Sequence, residues 1–177
     1  MNTDEQLVIE FQQGSREAFT ELFERYLQPV YAFFRRRLQN PARAEELAQE
    51  CFLALLGNAS RYEARASFRS YLYGIAFNVL SAERRKARRE VADNDAVDTR
   101  TVNGGQLATP DAGIWVREAL EHLDANEREI LMLREFEQLS YEEIGNLMRL
   151  PVNTVRTRLF RARIALKEQL MPVNDGD

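Results

Sequence analysis

The side chains with the clearest chemical use lie on a basic segment near the C-terminus, residues 151–167. Its apolar residues Val155, Leu159, Ala162 and Leu166 recur at i, i+4, i+7 and i+11, which is the spacing of one face of an α-helix. The surface opposite this stripe carries arginine, threonine and phenylalanine. Arginine can pair bidentately with guanine, and threonine and phenylalanine can contact thymine methyl groups. The pattern therefore predicts a helix that reads bases in the major groove of duplex DNA.

A short helix and a tight turn precede this segment. Ser140 and Glu143 have the spacing of a capping box, in which each side chain satisfies an open backbone N–H group at the helix start. Pro151 interrupts the helical pattern because it lacks an N–H group and clashes with a preceding turn. Asn153 is a suitable N-cap for the second helix. Two short helices joined by a turn, the second of them basic, predict a helix-turn-helix motif.

A second group of useful side chains lies in the first half of the chain. Residues 68–89 predict a helix in which aromatic side chains surround an apolar stripe and a basic run follows. Aromatic rings can stack on unpaired bases while cations neutralise the backbone, so the combination suits single-stranded nucleic acid. The alternative is a core helix with a solvated basic end. The predicted stacking residues are Tyr62, Tyr71, Tyr73 and Phe77, with Arg84, Arg85 and Lys86 beside them.

Composition narrows the class of protein. The chain has 177 residues, 45% hydrophobic and 29% charged, as in globular proteins. With one cysteine, Cys51, it can form neither an internal disulfide nor a thiolate metal site. A single histidine, His122, gives little support to metal-hydrolase or Ser-His chemistry and is expected to be structural. No apolar run approaches the roughly 20 residues of a membrane span, and the N-terminus lacks a secretory pattern. We expect a cytoplasmic protein that is not an enzyme and uses neither a metal nor a cofactor.

The net charge of −4 argues against a simple nucleic-acid-binding protein, but the charges are segregated along the chain. Basic residues cluster at 35–37, 84–89 and 156–167, and acidic residues at 45–46, 93–98 and 127–143. This distribution suits a protein that contacts DNA with some surfaces and a protein partner with others.

The rest of the chain is also predicted to be helical. Helices are expected over residues 3–13, 15–38, 41–56, 113–123 and 126–136, with a polar loop over 57–67. Thr3 and Asn126 are the predicted N-caps of the first and last of these, and Pro29 should bend or break the second. Residues 91–112 contain Gly-Gly, proline and aspartates but almost no large apolar side chain, which indicates a linker. We predict an all-α protein of two small helical domains, 1–90 and 113–171, joined by a flexible acidic linker over 91–112.

Five stretches together resemble the extracytoplasmic-function (ECF) sigma factors, group 4 of the sigma-70 family of bacterial transcription initiation subunits. In the first half they are AFTELFERY (18–26), AEELAQECF (44–52) and SFRSYLYGIAFN (67–78). In the second half they are LSYEEIGNLM (139–148) and PVNTVRTRLFRARIAL (151–166). The resemblance covers nearly the whole chain and implies sigma region 2 in the first domain and the helix-turn-helix of sigma region 4 in the second.

The resemblance also implies roles for particular residues. A sigma factor binds RNA polymerase core, directs it to promoters and assists DNA melting, and region 2 captures a flipped base of the −10 element on the non-template strand. For −10 recognition the matching residues are Asn58, Ser60, Arg61, Tyr62, Tyr71, Tyr73, Phe77, Asn78, Arg84 and Arg85. For −35 recognition they are Asn153, Thr154, Arg156, Thr157, Arg158, Phe160, Arg161 and Arg163. For docking on the polymerase they are Glu45, Glu46, Leu47, Gln49, Glu50 and Phe52.

The implied partners are the β′ clamp helices and β flap of RNA polymerase core, promoter DNA as duplex and as non-template single strand, and an anti-sigma protein. Four positions depart from the usual family residues: Glu46 replaces Asp, Tyr71 replaces Trp, Gly74 replaces Arg and Asn153 replaces Gly. These departures are expected to change the contacts made with the promoter, and they leave the resemblance to the ECF sigma factors intact. The alternative function is a free-standing helix-turn-helix transcriptional regulator, which leaves the aromatic and acidic helices of the first half without a role.

Overall fold

The structure is a computed structural model that describes residues 1–93 and 113–171. Within these ranges the chain forms α-helices and one 3₁₀ turn, and no strand occurs there. The all-α prediction is therefore confirmed for the described chain. The helices are α1 (Asp4–Gln12), α2 (Arg16–Arg37), α3 (Pro41–Asn58), α4 (Phe68–Asp93), α5 (Ile114–Glu121), α6 (Ala125–Glu135), α7 (Tyr141–Met148) and α8 (Val152–Leu170), and the 3₁₀ turn spans Ala59–Arg61.

The helices form two compact units. The first is built from α1, most of α2, α3 and α4, and the second from α5 to α8. Helix α4 continues to Asp93, three residues into the segment predicted as linker. The rest of that segment, 94–112, lies outside the described residues.

The start of the chain folds as its capping residues predict. Thr3 forms a capping box with Gln6, so each side chain accepts from a backbone N–H group of α1. Gly14, between α1 and α2, has a φ of 104°, a conformation that glycine adopts without steric cost. Pro41 occupies the first position of α3, where its missing N–H group is not needed.

The core of the first unit keeps α2 continuous through Pro29. A proline inside a helix costs roughly 3 kcal/mol or more. On either side of it, however, Leu22, Tyr26, Val30 and Phe33 are buried, and packing of such an apolar face supplies most of a helix's stability. The predicted break at Pro29 therefore does not occur.

The predicted end of α3 at Gly57 is also wrong. The helix continues to Asn58 and leads directly into the 3₁₀ turn Ala59–Arg61. Ala59 and Tyr62 are buried, so burial holds residues 59–62 in place although their neighbours are polar. The segment predicted as a polar loop is thus partly structured.

Two predicted N-caps in the second unit need correction. Asp124, not Asn126, caps α6, because its Oδ1 accepts from the N–H groups of Asn126 and Glu127. Helix α8 begins at Val152, so Asn153 lies inside it. The Pro151 carbonyl already accepts from the N–H groups two and three residues after Val152, and hydrogen bonding of the helix therefore starts at the proline.

The turn between α7 and α8 depends on a close backbone approach. The capping box of Ser140 and Glu143 is confirmed, with hydrogen bonds of 2.8 and 3.1 Å. Arg149 ends α7 in the left-handed conformation, at φ 56°. The Leu150 N–H group then donates to the carbonyl of Gly145, and a Cβ atom on Gly145 would lie 2.8 Å from the Leu150 carbonyl oxygen. A side chain at this position would force the backbone of the turn to shift, so the turn favours glycine here, and no local sequence pattern indicates this.

Candidate nucleic-acid interfaces

A pocket opens in the first unit between the segment after α3 and the N-terminal half of α4. Its volume is about 280 Å³. The rings of Tyr62 and Tyr71 stand 5.2 Å apart, tilted by 59°. The lining residues are Tyr62, Glu63, Ala66, Ser70, Tyr71, Gly74, Ile75 and Asn78. The pocket brings together Tyr62 and Tyr71, two of the four tyrosine and phenylalanine residues predicted to stack on bases, and Asn78, which was also predicted for −10 recognition.

The hydroxyl groups of both tyrosines hold the pocket wall together. Tyr71 donates to the carbonyl oxygen of Asn58 at 2.7 Å, and Tyr62 donates to that of Ala66 at 2.8 Å. Since each hydroxyl proton is used within the protein, the half-buried Tyr71 can offer a ligand only its ring. Tyr62 is 6% exposed and forms part of the pocket wall, so the prediction that its ring stacks on a base is corrected. The polar side chains of Asn78, Ser70 and Glu63 also line the pocket, where they can hydrogen-bond to a polar ligand.

The surroundings of the two phenols raise the pKa of both. Burial raises the pKa of Tyr62, and the carboxylates of Glu5 and Asp4 raise it further. Burial likewise raises the pKa of Tyr71.

The other residues predicted for −10 contact occupy different environments. Tyr73 is only 4% exposed and packs against Phe33, with ring centroids 5.7 Å apart. It cannot stack on a base in this structure, and the prediction that it would do so is corrected. It points to the core because it shares the buried side of α4 with Ala76 and Leu80, three and seven residues further on. Ser60, Arg61, Asn78, Arg84 and Arg85 are exposed, and Asn58 and Phe77 are half-buried.

Several lining residues were missed from the sequence. Ser70, Gly74 and Ile75 share a helix face with Tyr71 and Asn78, because their positions differ by three, four or seven. That spacing was visible in the sequence. Glu63 and Ala66, however, reach the pocket through the path of the chain between α3 and α4, for which no periodic signal exists.

The surface of α8 has the arrangement that its periodicity predicts. Val155, Leu159 and Ala162 are buried, and the half-buried Leu166 continues the same stripe. On the opposite side Phe160 is 66% exposed. The other exposed predicted residues are Asn153, Arg156, Thr157, Arg161 and Arg163, whereas Thr154 and Arg158 are half-buried.

Contacts within the second unit orient part of this surface. The Arg156 guanidinium donates to Asn153 Oδ1 at 3.3 Å and lies 6.0 Å from the centre of the Tyr141 ring. Arg163 pairs with Glu135 at 2.7 Å, and the hydrogen bond to this carboxylate raises its pKa. A phosphate contact by Arg163 must therefore compete with Glu135.

Helix α3 presents an acidic and apolar face. Glu45, Glu46, Gln49 and Glu50 are exposed, in the positions expected for contact with a partner. The predicted partner contacts Leu47 and Phe52 are only 1% and 4% exposed and are corrected to core residues. They lie on the opposite side of the helix, which packs on the rest of the unit.

Two leucines that were not predicted lie on the acidic side of α3 instead. Leu53 is 66% exposed, and Leu56 is also exposed. Leu53 follows Glu46 by seven residues and Gln49 by four, and so shares their face. The carboxylates on this face are held by Arg43, which pairs with Glu46 at 2.6 Å and Glu50 at 3.4 Å.

The second unit also has an open apolar groove of about 590 Å³. Its lining residues are Trp115, Leu131, Glu135, Arg163, Leu166, Lys167, Leu170 and Met171. Across the described ranges, no helix is long and apolar enough to cross a membrane. In the same residues, no three His, Cys, Asp or Glu side chains are grouped so that they could hold a metal ion.

Comparison with known families gives a match in both halves of the chain. Residues 22–90 match sigma-70 region 2, and residues 114–166 match sigma-70 region 4. The chain is 31% identical to the RNA polymerase sigma-H factor of Pseudomonas aeruginosa, over 96% of this chain and 95% of that protein. It is also 31% identical to the ECF RNA polymerase sigma-E factor of Escherichia coli K12, over 97% of this chain and 96% of that protein.

A solved structure shares the fold. The sigma factor RpoE of Bartonella quintana, crystallised with the anti-sigma factor NepR, aligns with a TM-score of 0.67 and 23% identity, over 87% of this chain and 99% of that chain. The chain belongs to the ECF group of the sigma-70 family of RNA polymerase sigma factors. It is an alternative sigma factor that acts in transcription initiation. Matches in both halves do not favour a free-standing helix-turn-helix regulator.

Proposed function

We propose that the pocket in the first unit binds an unpaired base of the −10 element on the non-template strand. The observation that carries this proposal is that Tyr62, Tyr71 and Asn78 line one pocket. Extruding a base from the stack costs a few kcal/mol, and stacking on an aromatic ring returns about 1–3 kcal/mol per base. A pocket that combines the ring of Tyr71 with the amide of Asn78 can therefore stabilise an open strand and also select the base.

The exposed surface of α8 is assigned to the −35 element. Arg156, Thr157, Phe160 and Arg161 lie opposite the buried stripe, and their side chains suit contacts to guanine and to thymine methyl groups. Arg163 and Lys167 lie further along the helix, where they suit phosphate contacts.

Polymerase contacts are assigned to both units. The β′ clamp helices would dock on the outer face of α3, where Glu46 and Glu50 supply charge and Leu53 and Leu56 supply apolar area. The β flap would occupy the apolar groove of the second unit, where Trp115 is exposed. Such a groove suits the apolar face of an amphipathic segment.

The remaining assignments rest on the family. The first domain, 1–90, serves as region 2 and the second, 113–171, as region 4, with 91–112 as the connection. The protein itself is not an enzyme, since the polymerase supplies the catalysis, and it acts in the cytoplasm with the polymerase. An anti-sigma protein is a partner, as NepR is for the Bartonella quintana protein.

Run-off transcription with purified core polymerase tests these assignments. The templates carry randomised upstream sequence, and the protein is added as wild type, Asn78→Ala or Arg161→Ala. A two-part motif should emerge with the wild type. Asn78→Ala should relax selection at the −10 part and Arg161→Ala at the −35 part. If Asn78→Ala left selection at the −10 part unchanged, the pocket would not be the −10 site.

A further inference from the structure

Helix α1 contacts the segment that forms one wall of the pocket, although it lies outside the matched part of region 2. The match begins at residue 22, and α1 ends at Gln12. The base-contacting role proposed above involves none of its residues. Its polar side chains nevertheless reach the backbone of the segment that forms the pocket wall.

The side-chain amide of Gln12 joins the two ends of the 3₁₀ turn. Its Nε2 atom donates to the carbonyl oxygen of Ala59 at 2.8 Å and to that of Tyr62 at 3.0 Å. These carbonyls flank the turn Ala59–Arg61 and are 47 and 50 residues from Gln12 in sequence. The Gln12 amide therefore holds the backbone of Ala59 and Tyr62, and the Tyr62 side chain forms one wall of the pocket.

A second side chain of α1 holds the other end of the same segment. Glu5 Oε1 accepts from the backbone N–H group of Phe68 at 3.0 Å, and Phe68 is the first residue of α4. Helix α1 is itself attached to α2, because Asp4 accepts hydrogen bonds from Arg25, at 2.8 Å, and from Tyr26. The segment 59–68 is thus held at both ends by a helix that is anchored elsewhere.

The segment needs such support because its own hydrogen bonding is weak. A 3₁₀ turn has poorer hydrogen-bond geometry than an α-helix and is used only in short pieces. Ala59 and Tyr62 are buried, but residues 63–66, which join the turn to α4, are exposed, and exposed connections with few packed neighbours open most readily. If the segment sampled other conformations, affinity for a base would fall in proportion to the fraction of molecules with a formed pocket.

We propose that Gln12 is a positioning residue for −10 recognition, and that α1 serves as a brace that keeps Tyr62 in place. Gln12 acts through the carbonyls of Ala59 and Tyr62 and does not itself contact the base. This inference rests on the proposed function of the pocket. It adds a determinant of −10 selectivity that lies about fifty residues before the pocket in sequence.

The test uses Gln12→Glu and Gln12→Met in the full chain with core polymerase. Both variants keep the approximate side-chain length and remove the N–H donors. Gln13→Glu and Gln13→Met are the matched controls, since Gln13 is exposed and no side-chain hydrogen bond of it is found within the described ranges. Three quantities are measured. The first is the affinity for core polymerase. The second and third are the −10 ratio and the −35 ratio, each defined as transcription from the matched template divided by transcription from a template with one substitution in that element.

Both Gln12 variants should lower the −10 ratio by roughly fivefold, the equivalent of about one net hydrogen bond. Polymerase affinity and the −35 ratio should stay unchanged, and both Gln13 variants should behave as wild type. Asn78→Ala is run in parallel. If Asn78→Ala lowers the −10 ratio while the Gln12 variants do not, the proposed role of Gln12 is wrong and the assignment of the pocket to the −10 element is supported. If neither lowers it, the pocket assignment itself is wrong. An equal loss in all three quantities would show a folding defect and would also overturn the brace.

Discussion

The two surfaces assigned to promoter DNA are built in different ways. The α8 surface comes from one continuous helix, whose buried stripe of Val155, Leu159 and Ala162 fixes the residues that face outward. The pocket comes from segments that are distant in sequence, joined by hydrogen bonds from Gln12, Tyr62 and Tyr71 to backbone carbonyls. A single helix can read a groove of regular geometry. Enclosing one extruded base requires walls from several directions.

This difference predicts different responses to mutation. Changes on α8 should act locally, one base contact at a time, because its helical backbone stays in place whichever exposed residue is altered. Changes around the pocket should act through the backbone of the segment 59–68 and alter selectivity without a direct base contact.

Gly145→Ala should have the largest effect, because the added Cβ atom would lie 2.8 Å from the carbonyl oxygen of Leu150. Crowding of this kind typically costs about 1–3 kcal/mol, and the free energy of unfolding in urea should fall accordingly. Gly57→Ala is the matched control. A Cβ atom there meets nothing within 4 Å, so the substitution inside α3 should raise stability by about 0.5–1 kcal/mol. Equal effects of the two substitutions would contradict the tight-turn explanation.

Arg161→Ala should change which bases are selected at the −35 element, at a cost of about 1–3 kcal/mol in discrimination. Lys167→Ala should instead weaken binding to all sequences equally and lower the dependence of affinity on salt. Holoenzyme binding to duplexes with single-base changes, measured across a salt series, separates these effects. If Arg161→Ala instead weakened binding to all sequences equally, Arg161 would contact a phosphate rather than a base.

Tyr71→Phe should weaken −10 selectivity although it keeps the ring. The substitution removes the 2.7 Å hydrogen bond to the Asn58 carbonyl, worth about 0.5–1.5 kcal/mol net. Transcription from templates with −10 and −35 substitutions gives the two selectivities separately. Phe160→Ala is the comparison on α8, where loss of the ring should affect only the −35 element. Wild-type −10 selectivity in Tyr71→Phe would show that only the ring face matters.

Acid should destabilise the link between α3 and α4. Hydrogen bonding to Arg43, at 2.6 and 2.8 Å, lowers the pKa of Glu83. Because the folded pKa lies below the unfolded value of about 4.3, the stabilisation is complete above that value and is lost as pH falls through the folded pKa. Glu83→Gln should therefore flatten the loss of stability below about pH 5. Urea midpoints of both proteins from neutral to acidic pH measure this, and parallel curves would contradict it.

The smallest signal is expected from chemical labelling of the Cys51 thiol in the native protein. Burial raises the pKa of its thiol to about 12, so the reactive thiolate should be scarce at pH 8. Iodoacetamide should leave the native protein unlabelled and label it in urea. Rapid labelling of the native protein would show that the core around α3 opens readily.

The sequence predicted most of what local periodicity and capping determine. The buried stripe of α8, the N-cap Thr3, the capping box of Ser140, and the general positions of the helices are confirmed. Errors occurred where a single residue type was given too much weight. Pro29 was expected to bend or break its helix, but α2 is unbroken there, and the next helix was expected to end at residue 56, but α3 continues to Asn58.

The pocket could be predicted only in part. The aromatic composition of residues 62–78 indicated base stacking, but composition cannot show which ring faces outward. Tyr73 was predicted to stack on a base and Phe52 to contact the polymerase, but both are core residues. Leu53, which was not predicted, lies on the surface. The hydrogen bonds of Gln12 join residues that no local pattern relates, and Gly145 is required only because of where the Leu150 carbonyl lies. Such features depend on tertiary approach, which a single sequence does not show.

The most direct measurement of the central claim is photo-crosslinking from the −10 element. Holoenzyme is bound to a promoter that carries a photoreactive thymine at successive non-template positions, and the crosslinked peptides are identified by mass spectrometry. A single −10 position should crosslink to the peptides that contain Tyr62 and Tyr71, and the crosslink should weaken with Asn78→Ala. Crosslinks from every −10 position to other parts of the protein, unchanged by Asn78→Ala, would contradict the assignment of this pocket.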